Sequence, residues 1–124
     1  MRIVVGDSPG RGRGVFARVP FRTGELIEEC PVIAFDRESR ALIDRTALYG
    51  YYFYWGPGGD LGAIALGFGS LYNHSSMPNA SFERYLNSSS IVFRALCLIT
   101  AGEEITYDYK GDPRFDTPFW FDPV

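Results

Sequence analysis

At 124 residues and 46% hydrophobic content, the chain is long enough for one globular domain with a real core and too short for two. A formal net charge of −3 argues against nucleic acid as the main partner. Fourteen Gly and eight Pro, with ten Phe, eight Tyr and two Trp, suit a loop-rich, mainly β architecture better than a helical bundle.

In chain order, residues 2–5, 14–18 and 25–35 read as strands from their β-branched and aromatic content, with Gly, Pro or polar residues between them. Asp36 is placed to cap one helix over residues 37–47. Strands follow over 49–55, 62–66, 80–86 and 90–99. The run from Tyr49 to Trp55 is almost wholly aromatic, and alternation lets about half of its rings share one face. Cys30 and Cys97 both lie in apolar strand-like runs, where a buried free thiol is the expected state. No Cys or His spacing suits a metal.

Between these strands lies Asn73-His74-Ser75-Ser76-Met77-Pro78-Asn79, which holds the chain's only histidine. Pro78 fixes its own φ and pushes Met77 out of the helical region, while the Asn and Ser side chains can bond nearby backbone. An ordered loop follows from that composition. Further on, Gly102-Glu103-Glu104-Ile105-Thr106-Tyr107-Asp108-Tyr109 is a turn feeding a short strand that carries Tyr107 and Tyr109 on one face. The chain closes on an aromatic tail with Phe115, Phe119, Trp120 and Phe121, too apolar in composition to remain simply solvated.

Near the N-terminus, Gly12-Arg13-Gly14-Val15-Phe16-Ala17 mimics a dinucleotide-binding fingerprint. That motif needs a helix opening at its glycines, whereas these run into a β-branched, apolar stretch stopped by Pro20. A Rossmann reading is therefore rejected. What remains is either a flexible Arg/Gly loop or part of a larger constellation.

The constellation is supplied by all three segments together. An Asn-His-Ser-x-x-Pro-Asn loop, then Gly-Glu-Glu-apolar-Thr-Tyr-Asp-Tyr, preceded by Gly-x-Gly, resembles the SET-domain lysine methyltransferases in motif order over nearly the whole chain. The resemblance implies several short sheets around a pseudoknot, with the 73–79 loop threaded beside residues 102–109 and one short helix in a variable insert. It implies a SET domain over residues 1–110 and, over 111–124, a tail that closes the active site, packs on the core or pairs with a second copy as a homodimer. It further implies methyl transfer from S-adenosylmethionine to a lysine amine, without metal. Tyr109 matches the catalytic tyrosine. Tyr107 matches a position held by Phe or Tyr, where Tyr suggests mono- or dimethylation.

Cofactor contacts carry over to the backbone of Gly12, Arg13 and Gly14, to the Asn73 side chain and to the His74 main chain, with Trp120 a candidate adenine cover. Tyr51 or Tyr52 is expected in the lysine channel. Two departures stand out: Ser76 replaces a common cysteine, and Cys30 stands where many relatives place an active-site tyrosine. Glu28, Glu29, Asp108, Asp112 and Asp116 are expected to form an acidic rim for a basic, lysine-containing segment of a protein substrate, histone tails among the candidates. The expected setting is soluble and intracellular, cytoplasmic or nuclear, since neither a leader peptide nor a membrane-length apolar run is seen. Alternatives left open are a catalytically silent binding module with the same fold and a methyltransferase for small amines.

Overall fold

The computed structural model describes residues 1–109. Its elements are β1 (Ile3–Ser8), β2 (Gly12–Ala17), β3 (Leu26–Phe35), α1 (Arg37–Ile43), β4 (Phe53–Trp55), β5 (Leu61–Ala65), β6 (Asn73–His74), β7 (Ala80–Tyr85), β8 (Ser90–Ala95) and β9 (Glu104–Tyr107). They form a four-stranded sheet ordered β1-β2-β9-β6 and a five-stranded sheet ordered β4-β5-β3-β8-β7.

The first sheet makes the threading visible. β2 pairs antiparallel with β9 through Val15↔Ile105, while β6 lies parallel to β9 with Asn73↔Thr106 and His74↔Tyr107 in register. Loop and strand are further joined where the Asn79 side chain imitates a backbone unit. Its Nδ2 donates to the Glu104 carbonyl at 2.8 Å, and its Oδ1 accepts from the Thr106 N–H at 2.9 Å. Pro78 therefore ends the loop at the place where an amide side chain completes the ladder.

The core runs between the two sheets. Val15, Phe21, Cys30, Ile91, Phe93, Ile99 and Ile105 are the largest fully buried side chains. Around Phe93 gathers an aromatic cluster: Tyr72 stacks on it at 4.2 Å, Tyr107 meets it edge-on at 5.4 Å, and Phe82 meets Tyr107 at 5.0 Å. Such pairs contribute about 0.5–1.5 kcal/mol each beyond area burial, so the cluster is a rigid support for whatever it carries.

Asp36 caps the helix as expected, accepting from the Ser39 N–H at 2.8 Å. The helix ends earlier than the composition suggests, because the Thr46 hydroxyl folds back to donate to the Ile43 carbonyl at 2.7 Å. None of its residues is buried. It is fastened instead by Arg40, whose Nη1 donates to the Gly59 and Asp60 carbonyls at 2.9 Å each and whose guanidinium lies 4.5 Å from the Tyr54 ring centroid.

Two expectations are corrected here. The strand foreseen over 49–55 shrinks to Phe53–Trp55, because successive turns occupy the preceding residues: the Tyr49 N–H donates to Thr46 and the Tyr51 N–H to Leu48. The strand foreseen over 90–99 stops at Ala95, which leaves Cys97 exposed rather than buried; Ile99 returns to the core by pairing with Phe21.

Candidate active site

A pocket of about 630 Å³ opens where the β1–β2 turn, the end of the insert and the approach to β6 converge. Residues 10–13, 49–51, 70–74 and Tyr109 line it. Its size lies within the usual range for sites that bury a small organic ligand.

The floor is built by packing that leaves no slack. Asn73 Nδ2 donates to the Arg13 carbonyl at 2.9 Å and to Glu104 Oε2 at 2.7 Å, while Ser8 Oγ donates to Glu104 Oε1 at 2.8 Å. One amide thus ties β6 to β2 and β9. A Cβ on Gly14 would stand 2.8 Å from Asn73 Nδ2 and collide with the Glu104 carboxylate, so any side chain there must push both aside. At Gly12 the requirement is conformational, with φ at 82° closing the turn from β1.

Tyr109 enters from the end of β9. Its N–H donates to His74 Nδ1 at 3.1 Å, and its hydroxyl donates to the Tyr72 carbonyl at 3.1 Å. His74 Nδ1 is therefore used as an acceptor that fixes the backbone of Tyr109. The His74 carbonyl accepts from Arg11 Nη1 at 3.2 Å, which brings a guanidinium to the pocket wall. Desolvation, reinforced by the Tyr51 hydroxyl, pushes the Tyr109 phenol up to about 12. At neutral pH it keeps its proton and donates it to the Tyr72 carbonyl.

Tyr107 lies directly behind, its ring 4.9 Å from that of Tyr109 and packed among Phe53, Phe82 and Phe93. Full burial pushes its hydroxyl well above the ordinary tyrosine range, with Tyr109 a smaller contribution. Burial first, and a hydrogen bond to Asp44 second, likewise holds Tyr52 at about 12.

A stability prediction follows from these phenols. A tyrosine whose folded pKa exceeds its unfolded value of 10.0 stabilises the fold fully below that pH and loses the contribution as pH rises toward the folded value near 12. The melting temperature is expected to hold to about pH 9.5 and then fall steeply between about pH 10 and 12, followed by thermal melts across that range.

A family model described as "SET domain" matches residues 12–110, the span that holds the turn, the threaded loop and both tyrosines. The chain belongs to the SET-domain family of protein-lysine methyltransferases.

Among its relatives is a Schizosaccharomyces pombe protein named histone-lysine N-methyltransferase, H3 lysine-37 specific. The two are 34% identical over 107 residues, which make up 86% of this SET domain chain and 71% of the relative. A Plasmodium falciparum protein described as a histone methyltransferase superposes with a TM-score of 0.67 at 29% identity, over 87% of this chain and 92% of that one. The Polycomb Repressive Complex 2 of Chaetomium thermophilum, in a structure bound to S-adenosylmethionine, gives a TM-score of 0.75 at 22% identity, over 90% of this chain and 15% of that one. That last likeness concerns the fold alone.

Set against the sequence, the SET domain brings Gly12, Arg13, Asn73, His74, Tyr51 and Tyr109 to one pocket, with Gly14 and Tyr107 immediately beneath it. Tyr52 is elsewhere: its hydroxyl donates to Asp44 Oδ1 at 2.8 Å and accepts from Arg40 Nε at 3.1 Å, on the insert side. The broken alternation at 49–52 is the cause. Cys30 is also absent from the pocket wall, fully buried against Gly69, so it leaves no gap there. Trp120, Asp112 and Asp116 lie outside the described residues. Glu28 departs from the acidic rim by turning inward to the Tyr72 hydroxyl, whereas Glu29 stays exposed.

Sequence reasoning passed over Arg11, Tyr72 and Glu104. Each adjoins or lies within a motif already singled out, and Tyr72 directly precedes Asn73. Their orientation, however, depends on contacts far along the chain.

Proposed function

We propose that this SET domain uses S-adenosylmethionine to methylate the side-chain amine of lysine in a basic segment of another protein, to the mono- or dimethyl level. The observation that carries the reading is the Tyr109 hydroxyl, set in the pocket by Tyr72 and His74 with the fully buried Tyr107 at its back.

The pocket suits this cofactor by its volume and by the backbone of residues 10–13 along its wall, held from beneath by the close approach of Gly14 to Asn73 and Glu104. The backbone of Gly12, Arg13 and Gly14 would hold the amino-acid end, and the Asn73 side chain and His74 main chain would hold the rest. When bound, S-adenosylmethionine would supply a sulfonium-activated methyl group, whose carbon a neutral amine would attack in line with the thioether as the leaving group.

The chain's own residues prepare the amine. A lysine ammonium with a reference pKa of about 10.4 loses its proton more readily in a dry aromatic surrounding, because desolvation disfavours the charged form. Tyr109 then accepts an amine N–H through its oxygen and aims the nitrogen lone pair toward the methyl. The phenol is no base itself at neutral pH, since its own proton is held to about 12.

Tyr107 limits the room for added methyls. Tyr107→Phe is expected to move products toward higher methylation, read by mass spectrometry of a single substrate; an unchanged product ratio contradicts its role.

The S. pombe relative's name makes histone H3 the first substrate to try, which would put the work at chromatin. No helix among the described residues is long and apolar enough to cross a membrane. The reading is tested by offering labelled S-adenosylmethionine with core histones, a desalted cell extract and a panel of small amines. Label in protein supports it. Label confined to small amines assigns a small acceptor, and cofactor binding without any label assigns a silent binding module.

A further inference from the structure

Glu28 is the one carboxylate of β3 that faces inward, and it is fully engaged. Its Oε1 accepts from the Tyr72 hydroxyl at 2.8 Å and its Oε2 from the Phe68 N–H at 3.0 Å. A bulge between Leu26 and Glu28 produces this orientation, since the extra residue lets Ile27 enter the core and still aims Glu28 at the 67–72 loop. Cys30, two residues on and on the same face, adjoins it; desolvation first and the Glu28 carboxylate second push that thiol far up, so it stays an uncharged donor.

The loop so gripped ends at Tyr72, and Tyr72 has two separate tasks. Its side chain meets Glu28, stacks on Phe93 and abuts Tyr107 edge-on at 6.5 Å. Its main-chain carbonyl accepts the proton of the Tyr109 hydroxyl. A line of direct hydrogen bonds therefore runs from the Glu28 carboxylate through Tyr72 to the Tyr109 hydroxyl.

We propose that Glu28 is a positioning residue for the methyl transfer: by holding Tyr72 at both loop and hydroxyl it fixes the carbonyl that orients Tyr109. The inference rests on the methyltransferase reading for its consequence, though not for its geometry. Cys30 also finds an explanation here. Gly69, whose Cβ would come within 2.9 Å of Cys30 Sγ, packs over it and leaves no room for a larger ring, so the small thiol belongs to the grip on the loop.

A carboxylate with two donors is an effective anchor because loss of either leaves a part-buried charge under-solvated. Positioning through a second residue reads out in kcat rather than in cofactor affinity, since misplacing a reacting group by a fraction of an ångström costs rate first.

The test uses Glu28→Gln, Glu28→Ala and Tyr72→Phe in the whole chain. Expected are unchanged cofactor binding by calorimetry, a kcat lowered by about tenfold or more in Glu28→Ala and Tyr72→Phe, and partial recovery in Glu28→Gln, which keeps one acceptor. Glu28→Ala combined with Tyr72→Phe should lose no more than the worse single variant. A merely structural Glu28 would instead lower melting temperature with kcat per folded molecule unchanged, and that result overturns the proposal. Should Glu28→Ala fail to fold, Tyr72→Phe carries the test alone, because it leaves Glu28 its Phe68 partner.

A second readout needs no turnover. With tyrosine carrying ¹³C at the ring carbon beside the hydroxyl, the Tyr109 resonance, assigned by its loss in Tyr109→Phe, is expected to shift in Tyr72→Phe and Glu28→Gln. An unmoved resonance overturns the positioning role. Inactive wild type with a shifting resonance overturns the methyltransferase reading and leaves the Glu28 linkage standing.

Discussion

Tyr109→Phe is expected to lower the rate of methyl transfer by about 10²-fold or more while leaving the cofactor's dissociation constant within about twofold. The asymmetry comes from where the hydroxyl sits. The Tyr109 hydroxyl proton goes to the Tyr72 carbonyl and its backbone N–H to His74 Nδ1, and together these fix where the oxygen lies at the pocket. Removing the oxygen keeps the ring against Tyr107, and so preserves the fold and the pocket wall. Stopped single-turnover assays at saturating cofactor, paired with calorimetry, separate the two quantities. A parallel fall in affinity and rate would mean that Tyr109 shapes the pocket rather than the transfer.

Gly14→Ala is expected to have the second large effect, in the opposite pattern. The added methyl would lie 2.8 Å from Asn73 Nδ2 and against the Glu104 carboxylate, forcing apart the amide that joins β2, β6 and β9. Overpacking of this kind costs about 1–3 kcal/mol, so a drop in melting temperature is expected. Cofactor affinity should fall by about tenfold to a hundredfold, equivalent to about 1.4–2.8 kcal/mol, because Asn73 and the 12–14 backbone move together. Gly58→Ala is the control, with only Asp60 within van der Waals range of its Cβ at 3.9 Å. If Gly14→Ala bound cofactor as tightly as Gly58→Ala, the glycine edge would not be part of the site.

Much of the architecture was legible because strands announce themselves locally. β3, β5, β7 and β8 follow from β-branched and aromatic runs bounded by turn residues, and Asp36 marks its helix by a capping side chain. The parallel pairing of Asn73 and His74 with β9 follows from no such pattern, since two residues carry no periodicity and threading is a property of the whole chain. It entered through the resemblance carried by three motifs.

Of the residues that line or support the pocket, those inside the motifs were legible in the sequence and those held by distant partners were not. Choosing between Tyr51 and Tyr52 needed the turns at residues 49–52, which break the alternation that a strand would impose. Reading Glu28 as a surface charge was the ordinary expectation for an acidic residue on a strand. A bulge reversed it, and bulges leave little trace in sequence. Cys97 failed in the opposite way: an apolar neighbourhood suggested burial, but the strand ends before reaching it.

The central claim is that this pocket transfers methyl to lysine with Tyr109 orienting the amine. It is tested most directly by incubating wild type and Tyr109→Phe side by side with labelled S-adenosylmethionine and core histones or a desalted extract, hydrolysing the protein, and resolving the labelled amino acids. The account predicts label in mono- and dimethyllysine with wild type and almost none with the variant. Label in another amino acid, or equal label from both proteins, would contradict it.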